Sequence, residues 1–229
     1  GTGALADQVR RSAASHANIH HLPPVPPERL APHALRQRFA APPAWQPEVR
    51  REPRLLQRPP AAAAVLIGLL PRPEGLAALL TRRAAHLKHH SGQIAFPGGK
   101  TDPGDGSPQA TALREAEEEI HLPARAAQVL GALPPYHTGT QYIVTPIVAL
   151  IDPHAPLRPN PAEVDQIFEV PLAYLMNPAH HRRHTCTDAS GAPRQWFAMP
   201  YTHPATGQEH YIWGATAGML RNLYRFLQA

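Results

Sequence analysis

Ser107-Pro108-Gln109-Ala110-Thr111-Ala112-Leu113-Arg114-Glu115-Ala116-Glu117-Glu118-Glu119-Ile120-His121-Leu122 reads as one helix with an acidic face. Ser107 is a good N-cap, and Pro108 fits the first helical position, where its missing N–H is not needed. Ala110, Ala112, Leu113, Ala116 and Ile120 supply the apolar positions, and Leu122-Pro123 ends the run. Glu115, Glu118 and Glu119 stand at i, i+3 and i+4, which share one side of a helix. Glu117 points elsewhere, to solvent. Three carboxylates so close repel one another, and a bound cation removes that penalty; hard oxygen ligands suit Mg²⁺ or Mn²⁺. The plainer reading is a solvated acidic face paired with Lys or Arg. Gly98-Gly99 stand one loop ahead of the helix. Paired glycines let backbone come close to a metal or a phosphate, or simply make a tight turn.

Working outward, residues 61–70 read as a buried strand, and 76–82 as its return from a turn at 71–75. Residues 93–96 make a short strand running into Pro97-Gly98-Gly99, and 100–106 a Gly/Asp/Pro loop. Beyond the helix, 129–133 and 142–151 read as strands split by a loop at 134–141. Residues 167–171 are extended, and 196–199 with 209–213 form a late strand pair. Residues 216–227 close the chain as an amphipathic helix with Met219, Leu220, Leu223 and Phe226 toward the core. Mixed strands with a few helices give an α/β or α+β sandwich. Residues 1–60 read as an appendage. A short helix is expected over 8–17, an extended His/Pro linker over 20–27, and helical spacing from Pro27 to Phe39, with Leu30, Leu35 and Phe39 on one apolar side.

The 229 residues fit one domain with extended termini, and 43% hydrophobic residues suffice for a core. The 29 prolines exceed an average usage of about 5%. A net charge of +5 suits either a mildly basic protein or one with a polyanionic ligand. No basic stripe with interleaved aromatics and no zinc-finger spacing points to nucleic acid. The single cysteine, Cys186, can form no intramolecular disulfide, so a reducing compartment is expected. No stretch reaches the roughly 18 apolar residues of a membrane span, and no signal pattern opens the sequence, so the expected location is the cytoplasm.

Gly99, Asp105 and Arg114-Glu115-Ala116-Glu117-Glu118-Glu119-Ile120-His121-Leu122 together resemble the Nudix box. Its common form is Gly, five residues, Glu, seven residues, then Arg-Glu-aliphatic-x-Glu-Glu-x-Gly-aliphatic. This sequence departs from it in three ways: the Gly99-to-Arg114 interval is one residue longer, Asp105 stands for Glu, and His121 for the helix-end Gly. Upstream, Leu79-Leu80-Thr81-Arg82-Arg83-Ala84, Lys88, Gly92 and Phe96-Pro97-Gly98-Gly99 resemble the signature of coenzyme A pyrophosphatases within that superfamily. Every spacing matches, with Lys88 where Arg is usual. Further segments resembling that subfamily are Gly131-Ala132-Leu133-Pro134-Pro135, Val144-Thr145-Pro146, Glu163-Val164 and Trp213-Gly214-Ala215-Thr216-Ala217-Gly218.

The resemblance implies a Nudix-type sandwich over residues 61–229, a mixed β-sheet flanked by helices, with residues 1–60 as a Pro-rich, partly helical N-terminal extension. It implies a metal-dependent hydrolase acting on a small nucleotide substrate, with Mg²⁺ or Mn²⁺ held by Glu115, Glu119, Glu118 and the Gly99 carbonyl. Glu118 is a third ligand or orients water, and Arg114 is a structural ion-pair partner. The general base is a box glutamate or Glu163, whose alternative is a surface residue at a helix start. Arg83, Lys88, Gly92 and Phe96 would bind substrate. His86, His89 and His90 would flank it in a polar loop. The implied reaction splits the diphosphate of coenzyme A or a derivative to 3′,5′-ADP and 4′-phosphopantetheine. The alternatives are another nucleoside diphosphate derivative such as ADP-ribose or a dinucleotide, a non-catalytic nucleotide sensor, and an interaction role for residues 1–60.

Overall fold

The computed structural model describes residues 21–88 and 92–229; the short helix expected at 8–17, and His20, His89 and His90, lie outside the described residues. Strands β1 (Ala61–Arg72) and β2 (Gly75–Arg83) form a hairpin in which Arg72 stands opposite Gly75. Strand β7 (Tyr142–Ile151) runs parallel to β1 in an unbroken register from Ala61↔Tyr142 to Leu69↔Leu150. The order β3 (Ile94–Ala95), β2, β1, β7, β5 (Ala127–Ala132) makes the main sheet. Three strands join it from the side: β4 (Gly98–Lys100) on β1, β6 (Tyr136–His137) on β7, and β8 (Val164–Pro171) on β2. The sheet is therefore mixed, as expected. The pair 98–99, expected only as a turn, is strand, and β6 lies inside the expected loop.

Both sheet faces are apolar because β1 and β7 are buried on both sides. Along β1 the pleat sends Ala64, Leu66 and Leu70 to one face and Ala63, Ile67 and Leu69 to the other. The first set meets Ala112, Ala116 and Ile120 of helix α2 (Pro108–Ile120). The second meets Leu220, Leu223 and Leu227 of helix α4 (Gly214–Gln228). Each fully buried Leu of this kind contributes about 1.5–3 kcal/mol. The bounds of α2 match the sequence expectation, including its Ser107 cap: Ser107 Oγ accepts from Ala110 N–H at 3.1 Å. The late strand pair is a three-stranded sheet, β9 (Arg182–Thr187), β10 (Pro193–Thr202) and β11 (Glu209–Trp213), and β9 was missed. A single turn, α3 (Leu172–Leu175), links it to β8.

The stretch preceding β1 lies against α4. A 3-10 turn over Pro27–Leu30 and helix α1 (Pro32–Ala40) put Leu30 and Leu35 into the same apolar cluster as α4. Phe39 and Trp45 pack on Phe226, with ring centroids 4.8 and 5.1 Å away. Val49 N–H donates to Asn222 Oδ1 at 2.9 Å, and Asn222 Nδ2 donates back to Val49 O at 2.7 Å. Glu48 receives Arg221, Arg225 and Arg183 at 3.1, 2.5 and 3.4 Å. These contacts make the stretch a strap across the last helix.

Arg221 is 1% exposed and also donates to His181 Nδ1 at 2.8 Å, while His181 Nε2–H faces Leu175 O at 2.6 Å. Both ring nitrogens of a neutral imidazole are thus occupied, Nδ1 accepting from Arg221 and Nε2–H donating to Leu175 O. Burial first, then the Leu175 carbonyl and the Arg221 charge, set its pKa, which falls to about 4. The unfolded value is about 6.5. The stability this group contributes is present above pH 6.5 and is lost as pH falls from there toward 4, by about 3 kcal/mol at most. We expect the urea midpoint to drop between pH 7 and pH 5 while the His181 ring resonances stay untitrated. A ring that titrates near 6.5 in the folded protein would contradict this.

Candidate active site

The acidic side of α2 faces the β4 backbone. Gly99 lets the Glu115 carboxylate lie against the strand: a Cβ there would stand 2.6 Å from Glu115 Oε1 and push it aside. Glu119 is 8% exposed, and its Oε2 accepts the Gly98 N–H at 3.2 Å. Burial, then the Glu115 charge, pushes the Glu119 carboxyl up to about 8, and burial raises Glu115 in the same direction. Glu118 is turned outward; its Oε1 takes Arg114 Nη1 at 3.2 Å, and half of its side chain is exposed. Arg114 also forks onto Asp105, with Nε and Nη2 at 2.8 and 3.0 Å from its two oxygens. That fork holds the Asp105 carboxyl well below the usual carboxylate range. Asp105 therefore ties the glycine loop to the helix. Arg114 also reaches Glu115 at 3.2 Å.

The far end of α2 is closed by the segment 157–164. His121 takes the left-handed conformation that glycine usually supplies, at φ 57°. Its Nδ1 lies 2.9 Å from Arg158 O. The carbonyls of the last turn accept Arg158 N–H (Ile120 O, 3.1 Å), Asn160 N–H (Glu119 O, 2.8 Å) and Asn160 Nδ2 (Glu118 O, 3.2 Å). Asn160 O in turn accepts Glu163 N–H at 3.0 Å, and Glu163 O accepts Ala84 N–H at 2.9 Å, just past β2. Glu163 is thereby held between the helix end and the end of β2. Its Oε2 is buried with no hydrogen-bond partner among the described residues. Its charge is felt by both Glu115 and Glu119. Asn160 was not singled out in the sequence, although Arg158-Pro159-Asn160-Pro161 is a turn signal. Asn160→Ala should lower kcat about 10- to 100-fold, the scale seen when a partner orienting a site ligand is lost, with KM little changed. Loss of stability without loss of kcat would disprove that role.

Arg83 ends β2 at a bulge between Arg82 and Arg83, and its charge reaches Glu119. Bulges re-aim side chains in this way beside active sites. Gly92 has φ 71° and returns its N–H to Arg83 O at 2.9 Å. Phe96 is 3% exposed, within the larger apolar cluster. Lys88 and His86 are exposed. The structure thus brings Glu115, Glu119, Glu163, Gly99 and Arg83 together and leaves Glu118 with Arg114.

Among the described residues no three His, Cys, Asp or Glu side chains converge as a ready metal cage. Mg²⁺ does not need one: it keeps several waters and takes one or two carboxylates plus substrate phosphates. A half-buried and a buried carboxylate, both raised by desolvation and the second also by the charge of the first, are a donor set that fits such an ion.

The sequence model of the NUDIX domain matches residues 59–188. The chain belongs to the Nudix family. It is 41% identical over 179 residues to the uncharacterized Nudix hydrolase NudL of Shigella flexneri, covering 78% of this chain and 86% of that protein. NudL of Photorhabdus laumondii is 45% identical over 166 residues, covering 72% and 84%. A solved Nudix hydrolase of M. smegmatis, RenU, matches at 27% identity with a TM-score of 0.43, over 51% of this chain and 73% of its own. This Nudix hydrolase acts on phosphorus-containing anhydrides, as the family does. Nudix enzymes generally need divalent metal ions. No helix among the described residues is long and apolar enough to cross a membrane.

Proposed function

We propose that this Nudix hydrolase cleaves the diphosphate bond of coenzyme A or its derivatives, releasing 3′,5′-ADP and 4′-phosphopantetheine or its acyl form. The observation that carries the reading is the segment 79–99, whose spacing resembles the coenzyme A pyrophosphatase signature and whose Arg83 is set at a bulge within the field of Glu119. Mg²⁺ or Mn²⁺ would be held by Glu115, Glu119 and the Gly99 carbonyl, with Glu118 orienting bound water from its seat on Arg114. Bound there, the ion neutralises the diphosphate and lowers the pKa of water.

The protein's own groups then divide the work. Arg83, with Lys88 at the loop, holds the phosphate oxygens. Glu163 is the base: its buried Oε2 has no hydrogen-bond partner among the described residues. Water attacks one phosphorus, its proton passes to Glu163, and the bridging P–O bond breaks with its electron pair leaving on the departing phosphate. Gly92 and Phe96 shape the loop and its apolar floor. The cytoplasm, where coenzyme A is used, fits a chain with one unpaired cysteine.

Turnover of coenzyme A, acetyl-coenzyme A, NADH, ADP-ribose and 8-oxo-dGTP with Mg²⁺ or Mn²⁺ tests the reading. The coenzyme A pair should give the highest kcat/KM. Preference for any of the others would overturn the substrate assignment and leave the Nudix chemistry intact.

A further inference from the structure

On the sheet face away from α2, a cleft of about 340 Å³ opens between the strap, β6, β10 and the start of α4. That is at the lower end of small-molecule sites, which begin at about 300 Å³. Two segments resembling the subfamily, 131–135 and 213–218, have no part in the site described above; Tyr136, which follows the first, and Gly214 and Gly218 of the second line this cleft. The first leads into Tyr136 and the second into Gly218. A Cβ on Gly218 would stand 2.5 Å from Tyr136 Oη, so glycine is what lets the ring lie against the helix. Trp196, 8% exposed, lines the cleft from β10.

The cleft's charges do not cancel. Glu48 is consumed by Arg183, Arg221 and Arg225. Glu52 accepts Gly139 N–H at 3.2 Å, and burial pushes its carboxyl up to about 7, so it carries only part of a charge near neutrality. Among the described residues neither the Arg50 nor the Arg51 side chain has an ion pair, and the Arg50 guanidinium donates to the Gln46 side-chain oxygen. Arg50 and Arg51 line the same cleft as Tyr136, Trp196 and Phe197, and cations and aromatic rings in one cleft suit a phosphate attached to a flat heterocycle. The cleft is also within reach of the glycine loop. Tyr136 is opposite Val144, Val144 opposite Ala63, and Ala63 opposite Lys100. Three strand spacings separate Tyr136 from Lys100, about 14 Å.

We propose that this cleft binds the nucleoside end of the substrate, with Arg50 and Arg51 holding a second phosphate, a ribose monoester remote from the diphosphate being cut. The inference rests on the coenzyme A reading for the identity of the substrate, and on the cleft's own chemistry for the class of group bound. It makes the cleft the place where a nucleotide with the extra phosphate is told from one without it.

Calorimetric titration of the full chain with adenosine 3′,5′-bisphosphate, adenosine 5′-monophosphate and 4′-phosphopantetheine tests it directly. The bisphosphate should bind at least about tenfold more tightly than the monophosphate. Arg50→Ala/Arg51→Ala should bring the two within about twofold, with the monophosphate and the melting temperature unchanged. Equal binding of both adenosine probes by the wild type, a preference that survives the double variant, or a loss that falls on phosphopantetheine instead would each overturn the proposal. Failure to hydrolyse coenzyme A would refute the substrate reading alone, because the titrations decide the cleft without turnover.

Discussion

Glu119→Gln is expected to reduce kcat about a thousandfold, equivalent to about 4 kcal/mol of transition-state stabilisation, while the protein without added metal melts no lower than the wild type. The two halves of this result have one cause. Glu119 is buried beside Glu115, and only the Gly98 N–H at 3.2 Å and the more distant field of Arg83 offset its charge. A glutamine keeps an oxygen for the Gly98 N–H and removes the repulsion. Leaving the repulsion in place is unfavourable to folding and useful to catalysis, since a divalent ion is the group that resolves it. Steady-state turnover with saturating Mn²⁺, paired with melting curves in a chelator, measures both. An active Glu119→Gln enzyme would move the metal to other ligands. An inactive one that melts far lower would show that the carboxylate holds the fold instead.

Glu48→Ala should give the largest loss of stability of any single change in the strap, about 3–5 kcal/mol, or roughly 10 °C for a chain of this size. Glu48 is the shared counter-ion of three guanidiniums, and Arg221, 1% exposed, is the one that cannot reach water. Removing the carboxylate leaves that charge buried against Arg225 and the neutral His181. The kcat at saturating substrate, measured well below the new melting temperature, should be close to normal, because none of these residues touches the acidic helix face. A loss below about 1 kcal/mol would mean that the pair only replaces contacts with solvent.

The parts of this fold and site that could be read from residues are those set by local rules. Helix α2 declares itself through Ser107-Pro108 at one end and its 3–4 spacing of alanines, and β7 through a long apolar run bounded by a loop. The Glu115–Glu119 pairing follows from helical geometry alone. The rest depends on partners far along the chain. The Arg114–Glu118 pair follows from the same i,i+4 spacing, but nothing local says that Glu119 would be buried while Glu118 stays exposed, since both stand on the same side of the helix. Strand β9 reads as polar, and its pairing with β10 gives Arg182–Thr187 their strand character. The strap looked like an appendage because Pro-rich sequence hides its few anchors, Leu30, Leu35, Phe39 and Glu48; the partners of Phe39 and Glu48 on the last helix lie some 170 to 190 residues later. Asn160 sits in a turn whose value comes from the carbonyls it meets.

That separation bears on how the molecule is made. Val49 meets Asn222 across 173 residues, and Tyr224 Oη donates to Pro23 O across 201. At about 5–20 residues per second, a ribosome takes roughly 10–40 s to synthesise what lies between such partners. For that interval Leu30, Leu35 and Phe39 have no helix to rest on. The sheet and α2 can assemble meanwhile, since their strands lie closer together in sequence, and docking of the strap is the step that waits for the last helix. A nascent chain stalled before residue 214 would present that apolar stripe to chaperones, and emergence of the helix that follows would be what closes it.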